Sequence, residues 1–567
     1  MQKLLLYFAI GLLPTLLAAQ QPCSNPQSSI DLNGNNVRGR ILNGGDLFTD
    51  LQSGQFIPNP DPLSNSEPST IFAAGLWLGG LDGGSNLKLA TTDYRSNNRF
   101  DFAAGPLSPD GITDNTTCSN WDRHFRVTDD EIVAFRAALP LSASALKTQF
   151  PGIAGWPGVG NPHFQDIYGF SLPFSDQALA PFYDENNDGL YDPLNGDYPA
   201  VLVRSMAPFV PSEIVWNVFN DEKGGGIHSN SGGKALQMEI QLTSWTFDCP
   251  DQPVLNNTIF TVHKLINRAT EISDSTYIGI WADIDLGCYL DDYVGCNPDL
   301  NTIFAYNQDA IDGNPGANCQ GTPTFGNAPP VQTITYLNRP MDKFIVGNGN
   351  IGGSQPPGTA DPQTPAEYYN YLTGRWRDGS PLTQGGNGYG GTTPVDHHFP
   401  GDPADPNGWS MCSTLLPYGD FRLISSSKIG FLGPGQIEEL VLAWAFHPNP
   451  ELPCGLGTAM ADVQTLHNIY ENGFDNVCSA LNTSLLPETS ISVSPNPAID
   501  QVIVSFPNHT PESIRMFDAQ GKMVREISAG LEISQNTVST AGLPAGLYTL
   551  QWNGKAGVAS RKLVIMR

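Results

Sequence analysis

The segment Asp184-Glu185-Asn186-Asn187-Asp188-Gly189-Leu190-Tyr191-Asp192-Pro193 sets oxygen-bearing side chains at alternate positions, Asp184, Asn186 and Asp188, followed by a glycine and the backbone carbonyl of Leu190. A hard divalent cation of flexible geometry asks for that arrangement: oxygens spaced two residues apart, a sharp turn at the sixth position and a carbonyl at the seventh. Calcium is the natural reading, with Asp192 adding a carboxylate and Asp197 finishing the shell. Asn195 stands where a helix-loop-helix calcium site carries its bidentate Glu, so the loop is closer to the calcium repeats of extracellular proteins. The other reading is a plain loop of Asx turns. A calcium site here would stiffen a loop, since its carboxylates are used in coordination and none is left as a base.

A second acidic group, Asp283, Asp285, Asp291 and Asp292, follows an expected strand at Thr276–Trp281. Strand alternation puts Asp283 and Asp285 on one face, where they can share a cation or act as acid and base in glycoside hydrolysis. A cation or a solvated turn is the plainer expectation. Asp396-His397-His398, with Asp402 and Asp405 nearby, has zinc- or iron-binding residue types. Adjacent histidines cannot both face one way on a strand, HExxH is absent, and surface histidines are expected. Nucleophile elbows, phosphate loops and dinucleotide fingerprints are absent too. Tyr368, Tyr369, Tyr371, Trp376 and Tyr389 lie in what reads as loop; exposed there they could stack on sugars, although aromatic residues in a β-rich body are usually core.

The elements that must hold these groups are mainly β. Among 567 residues, 59 are Gly and 47 Pro, which breaks up long helices, while 40% hydrophobic and 10% aromatic content excludes a disordered chain. Gln237–Leu242 alternates polar and apolar residues and Thr258–Asn267 is rich in β-branched and aromatic ones, as a half-buried antiparallel pair would be. Ile437–Phe446 reads as another strand. A helix is expected after Thr128, with Glu131 completing a capping box, Ile132, Phe135 and Leu139 on one face and Pro140 ending it. A further helix spans about Thr458 to Tyr470, and residues 310–415 read as loops by composition. The expected fold is a large β-sandwich-like body with long loops and few helices, plus a small C-terminal Ig-like β-sandwich of seven short alternating runs, with Asp518–Lys522 as a hairpin turn.

A net charge of −28 repels phosphate backbones and anionic lipid, which argues against nucleic acid as a partner. Met1-Gln2-Lys3, an apolar run from Leu4 to Leu17 and Ala18-Ala19 read as a signal peptide over residues 1–20, too short for a membrane span. No later run is long and apolar enough for a transmembrane segment. Nine cysteines in an exported chain point to disulfides with one thiol left over. Cys288 with Cys296 or Cys319, and Cys454 with Cys478, are the local candidates. The expected layout is a body over 21–480, with a possible subdomain break near 200–235, a linker over 481–490 and an end domain over 491–567.

That end domain carries Val493-Ser494-Pro495-Asn496-Pro497, then Met516-Phe517-Asp518-Ala519-Gln520-Gly521-Lys522, then Leu543-Pro544-Ala545-Gly546-Leu547-Tyr548 and finally Lys562-Leu563-Val564. These motifs resemble the type A sorting domain of type IX secretion in Bacteroidota, with Pro495, Asn496, Pro497, Gly521, Gly546, Tyr548 and Lys562 as the motif positions. The resemblance implies the type IX secretion machinery as partner, and a body that is released or attached to surface lipopolysaccharide. Phe72–Gly80, Cys118–Arg123, Gly196-Asp197-Tyr198-Pro199 and Asp283–Cys296 resemble a family of large exported Bacteroidota proteins of unassigned activity, which implies a location and no catalytic residue. Two classes of function are carried forward: a calcium-stabilised adhesive or glycan-binding structural protein, and a secreted hydrolase acting on polysaccharide or protein.

Overall fold

The computed structural model describes residues 22–474 apart from 62, 65, 174–178, 205, 250, 314–318, 320, 349–355, 418, 450 and 452, then residues 477–478, and residues 492–566 apart from 506–512, 519–521, 528–534 and 555–556. The expected signal peptide and the expected linker lie outside the described residues. The chain divides into two units, Met1–Asp248 with Pro253–Asp475, and Cys249–Gln252 with Asn476–Arg567.

The larger unit is built on two nine-stranded antiparallel sheets. The first runs Ser29–Leu32, Val37–Leu42, Asp46–Leu47, Ala73–Leu81, Ser273–Asp283, Phe421–Leu432 and Lys343–Asn348, with Phe56–Pro58 and Leu87–Thr91 attached to the side. The second runs Asp292–Asn297, Thr302–Asn307, Val331–Tyr336, Ile437–His447, Thr258–Asn267, Met238–Thr246, Glu213–Asn220 and Ala103–Ala104, with Phe125–Thr128 paired to Glu213–Asn220. Strand alternation explains how the two meet. Leu76, Leu78, Ile278 and Ile280 from the first sheet share one core with Ile240, Leu242, Ile259, Leu265, Leu442 and Trp444 from the second. Burying one such side chain is worth about 1.5–3 kcal/mol, so the shared face dominates the stability of the body.

Both sheets are also covered on their outer faces, which corrects the expectation of half-buried strands. Met238–Thr246 is buried at every position, and its outward Glu239 pairs with Arg268 at 3.2 Å. The cover over the second sheet is aromatic: Trp121 stacks on Phe164 and meets Trp216 edge-on, while Phe474 packs on Phe209, Trp245 and Phe260. The first sheet is covered by a helix, Pro365–Leu372. That helix and the strands Val331–Tyr336 and Lys343–Asn348 lie in the stretch read as loop, where dense Gly and Pro on either side conceal short elements.

The helix at Asp129–Ala138 has the expected capping box, Ile132 and Phe135 are its buried residues, and Leu139 is its C-cap. Gly457–Glu471 is the expected later helix. No helix among the described residues is long and apolar enough to cross a membrane. The cysteines pair as Cys23–Cys118, Cys249–Cys478, Cys288–Cys319 and Cys412–Cys454, leaving Cys296 as a buried thiol. The expected Cys454–Cys478 bond is therefore wrong. Each takes a partner far along the chain instead, Cys454 pairing with Cys412 across 42 positions and Cys478 with Cys249 across 229.

The smaller unit holds a three-stranded sheet, Ser492–Ser494, Gln501–Ser505 and Gln535–Ser539, and a four-stranded one, Met523–Ile527, Ser513–Phe517, Gly546–Gly554 and Gly557–Ile565. Val502, Val504, Ile514, Met516, Val538, Leu550 and Leu563 form a core between them, so it is the expected small sandwich.

One inward position is polar. His263 shares its face with Ile259 and Leu265, is fully buried, and neither ring nitrogen has a hydrogen-bond partner among the described residues. Burial pushes its pKa down to about 3. Below pH 6.5 the unfolded chain takes up a proton that the folded imidazole refuses, so this residue withdraws stability as pH falls. The parent should lose about 2 kcal/mol between pH 7 and pH 5 that His263→Leu does not lose, read as the difference between their urea unfolding curves at the two pH values.

Candidate functional site

The outward residues of the first sheet, Trp77, Tyr277, Trp281 and Ile424, pack against Tyr368, Tyr371, Leu372 and Trp376 from the covering segment. Pro365 opens the helix, and Thr364 and Glu367 form its capping box. Close approach depends on two glycines: a Cβ on Gly79 would meet Tyr369 at 2.8 Å, and one on Gly279 would meet Leu372 at 2.6 Å. Tyr368, Tyr371 and Trp376 are thus core residues, not exposed loop aromatics.

Beside this layer lies a cavity of about 450 Å³. Trp77, Tyr94, Trp281 and Tyr368 give it aromatic walls, and Arg99, Asn230, Asp361 and Gln363 supply polar groups. Its charged end is built by strand register. Ala282 pairs with Leu423, which sets outward Asp283 next to outward Arg422 on the neighbouring strand. Arg422 Nη1 donates to Asp283 Oδ1 at 2.7 Å, the Tyr94 hydroxyl donates to Asp283 Oδ2, and the guanidinium also pairs with Asp420 and sits 5.4 Å from the Tyr94 ring centre. Burial outweighs the Arg422 charge and pushes Asp283 up to about 7. Burial and neighbouring Asp283 hold half-buried Asp285 well above the usual carboxylate range.

Asp283, Asp285 and Asp420 each bring an oxygen within 4.8 Å of the others. Asp283 and Asp285 are thus close together, although Asp285 lies past the end of the strand at Asp283, and Asp420 joins them. Because Arg422 already supplies positive charge and both Asp283 oxygens are engaged, the group is an ion-pair cluster at the end of the cavity. Tyr94, Asp420 and Arg422 were missed by sequence reasoning. Tyr94 lies 189 positions and Arg422 139 positions from Asp283, and no local motif marks either.

The loop at 184–197 closes on itself. Asp184 accepts from the backbone N–H of Asp188 at 3.3 Å and of Gly189 at 2.8 Å, and Asp188 Oδ1 accepts from Leu190 at 2.8 Å. Asn186 Oδ1 accepts from Asp188 N–H at 3.1 Å, and Asp192 Oδ1 accepts from Leu194 at 3.0 Å. Gly189 takes the left-handed conformation, φ 79°, that turns the chain at the sixth position. Buried Asp197 ties the two ends by accepting from Glu185 at 2.9 Å and Asp192 at 2.8 Å. Burial, with the charges of Asp184 and Asp188 adding to it, raises the Asp197 pKa. The donor set fits calcium in chemistry: each carboxylate oxygen has a second lone pair beyond its backbone bond.

The remaining candidates separate. Asp291 and Asp292 are buried apart from the cavity lining, near Asp312. His398 is buried, not at the surface: it stacks on Phe399 with ring centres 3.8 Å apart, and burial pushes its pKa down to about 3. His397 Nε2 lies 2.8 Å from the Met341 carbonyl, Asp396 pairs with Lys343, and Asp402 and Asp405 cap turns through Ala404 and Asn407. No metal site forms from these five.

In the smaller unit Pro495, Asn496 and Pro497 are exposed, and Asn496 Oδ1 accepts from Val564 N–H at 2.9 Å. Buried Tyr548 donates its hydroxyl to the Pro544 carbonyl at 2.9 Å, Gly546 opens a strand opposite Ile565, and Lys562 pairs in register with Thr549. Gly521 lies outside the described residues, while Asp518 N–H reaches the Lys522 carbonyl at 2.9 Å and closes the hairpin.

Residues 492–566 match the family described as the secretion system C-terminal sorting domain. The chain is a cargo of type IX secretion, and its place is outside the cell or on its surface. No curated protein matches the sequence. Among the solved structures that align, two are of low similarity. A polysaccharide lyase is 8% identical with a TM-score of 0.17, over 65% of this chain and 38% of its own. The BSP domain of a biofilm-associated protein is 9% identical with a TM-score of 0.13, over 69% of this chain and 71% of its own. The chain thus spans well under half of the lyase, and TM-scores this low carry no argument about fold or function.

Removing Arg422 would leave Asp283 and Asp420 facing each other without a counter-charge. Arg422→Gln should cost about 3 kcal/mol in urea unfolding, and adding Asp283→Asn to it should recover a large part of that loss.

Proposed function

We propose that the exported body is a calcium-stabilised structural protein of adhesive or glycan-binding type, and that the aromatic cavity on the first sheet is where it holds a saccharide. The cavity carries the reading: aromatic faces from Trp77, Tyr94, Trp281 and Tyr368 stand beside Arg99, Asn230, Asp361 and Gln363. Sugars present apolar C–H faces that pack on aromatic rings and hydroxyls that bond to such polar groups. A volume of about 450 Å³ suits one or two sugar rings. The hydrolase reading needs a free carboxylate pair, and Asp283 is fully engaged by Arg422 and Tyr94.

Affinity electrophoresis of the full chain through neutral and anionic polysaccharides tests this. The parent should be retarded by at least one of them, and Arg99→Ala with Gln363→Ala should bind about tenfold more weakly with unchanged circular dichroism. No retardation by any polysaccharide refutes the binding role. Release of reducing ends by the parent, lost in Asp361→Asn, selects the hydrolase instead.

Calcium would be held by Asp184, Asn186, Asp188, the Leu190 carbonyl and Asp192, with Asp197 positioning the loop ends. What supports this is the spacing of oxygen-bearing side chains at alternate positions of a loop turned by a left-handed Gly189, with the charges of Asp184 and Asp188 acting on buried Asp197. Thermal melts of the full chain in calcium and in chelator should differ, and Asp184→Ala with Asp188→Ala should lower the melting temperature more in calcium than in chelator, where only the loop's own hydrogen bonds are lost. A variant that melts like the parent in both conditions rules the loop out.

A further inference from the structure

Beyond Asp283 the polypeptide leaves the first sheet and crosses to the second, which it enters at Asp292. At the start of this crossover lies a cavity of about 520 Å³, larger than the aromatic one. Gln52, Ser66, Ser69 and Thr322 line it with hydroxyls and amides, Phe72 adds an apolar face, and Asp285 adds a carboxyl group. Gly54 makes the room, since a Cβ there would meet Ser69 Oγ at 2.1 Å. Gly287 N–H donates to the Ser69 carbonyl at 3.0 Å and holds the crossover against that segment. Arg38, also in the lining, pairs with Glu67 at 3.0 Å, so its charge is already neutralised. The Ser69 hydroxyl and the Asp285 carboxyl have no hydrogen-bond partner among the described residues.

Only a thin wall separates this cavity from the aromatic one. Phe72 lines the second and Tyr94 the first, and their rings meet edge-on with centres 5.9 Å apart. Phe72 N–H donates to the Asp283 carbonyl at 2.9 Å, which fixes the wall to the end of the central strand. Asp285 of the second cavity brings an oxygen within 4.8 Å of Asp283, whose carboxylate is held by Arg422 and Tyr94 of the first. The two linings differ in kind. The first offers aromatic faces, whereas the second is lined mainly by hydroxyls and amides around a guanidinium already spent on Glu67. Such a lining suits a neutral polyhydroxyl segment better than a phosphorylated or apolar one.

We propose that the cavity at the crossover is a further saccharide subsite, and that the two cavities take consecutive stretches of one neutral glycan drawn over the Phe72–Tyr94 wall. The inference rests on the saccharide reading of the aromatic cavity and adds the class of ligand to it, a chain of several rings instead of a terminal sugar. A glycan held at the first cavity presents its next rings to the second at high local concentration, so the second contact adds affinity without a second encounter. Its hydroxyls bond to Ser69, Gln52 and Thr322. Burial and neighbouring Asp283 hold the Asp285 carboxyl well above its usual range, where it can donate a hydrogen bond as well as accept one.

The test immobilises the full protein and titrates it, by surface plasmon resonance, with disaccharides and hexasaccharides prepared from glucan, mannan, galactan and polyuronate. In at least one neutral series the hexasaccharide should bind about tenfold more tightly than the disaccharide, or better. Gln52→Ala with Thr322→Ala, both at exposed positions of the lining, should bring the hexasaccharide down to the disaccharide value and leave the disaccharide unchanged. Ser66→Leu, which narrows the same cavity from another exposed position, should do likewise. Arg99→Ala with Gln363→Ala, at the first cavity, should instead weaken both sugars alike. Equal affinity for short and long sugars in every series that binds overturns the second subsite and leaves the saccharide reading of the first cavity standing. A length advantage that survives both the Gln52/Thr322 pair and Ser66→Leu overturns it as well. Binding of no sugar of either length overturns the two together.

Discussion

Burial of the strand Ser273–Asp283 on both faces is the constraint from which the rest of the body follows. Its even residues Ile278, Ile280 and Ala282 belong to the core between the sheets, and its odd residues Tyr277 and Trp281 belong to the layer under the covering helix. An element buried on both sides has no solvent-facing position on which to place a charge cheaply. Asp283 continues the outward series, so its carboxylate must be neutralised where it stands, and the register with Phe421–Leu432 puts Arg422 there. The cavity beside Trp281 inherits its shape from the same alternation.

Two acidic groups flank the crossover and meet the cost of burial differently. Around Asp283 the compensation is internal: a guanidinium, a phenol donor and a ring face. Around Asp292 the neighbouring charges are further carboxylates, Asp285, Asp291 and Asp312, and burial together with those charges holds its pKa well above the usual range. A net charge of −28 makes the second situation common at the surface, where water screens it. Inside a sheet edge the same composition becomes a structural demand.

Much of the architecture was legible in the sequence because its signals are local. A capping box at Thr128 and Glu131, the alternation in Gln237–Leu242 and the spaced motifs of the end domain each lie within a few residues, and each is present in the fold. What failed depends on distance along the chain. The partners of Asp283 lie 139 and 189 positions away, the partner of Cys454 lies on the far side from the intervening helix, and double burial of Met238–Thr246 requires aromatic residues as remote as Phe209 and Phe474. Residues 310–415 misled for a further reason: Gly and Pro mark turns correctly, yet between the turns only six or eight residues are needed for a strand or helix.

The address and the activity of this protein are held by separate pieces of physics. The sorting domain buries Val502, Ile514, Val538, Leu550 and Leu563 in a core of its own, so its motifs can be read without reference to the body. Nothing in that small sandwich constrains what the larger unit binds. The body has to be read from the surface its layers leave open, and there the determinant is again packing: Gly79 and Gly279 let the covering helix sit close to the sheet. The rings of Trp77, Trp281 and Tyr368 then line a polar cavity instead of closing over it. A side chain at either glycine would lift the helix and change the spacing of those aromatic faces, which makes two residues without chemistry of their own decisive for the chemistry that the cavity can recognise.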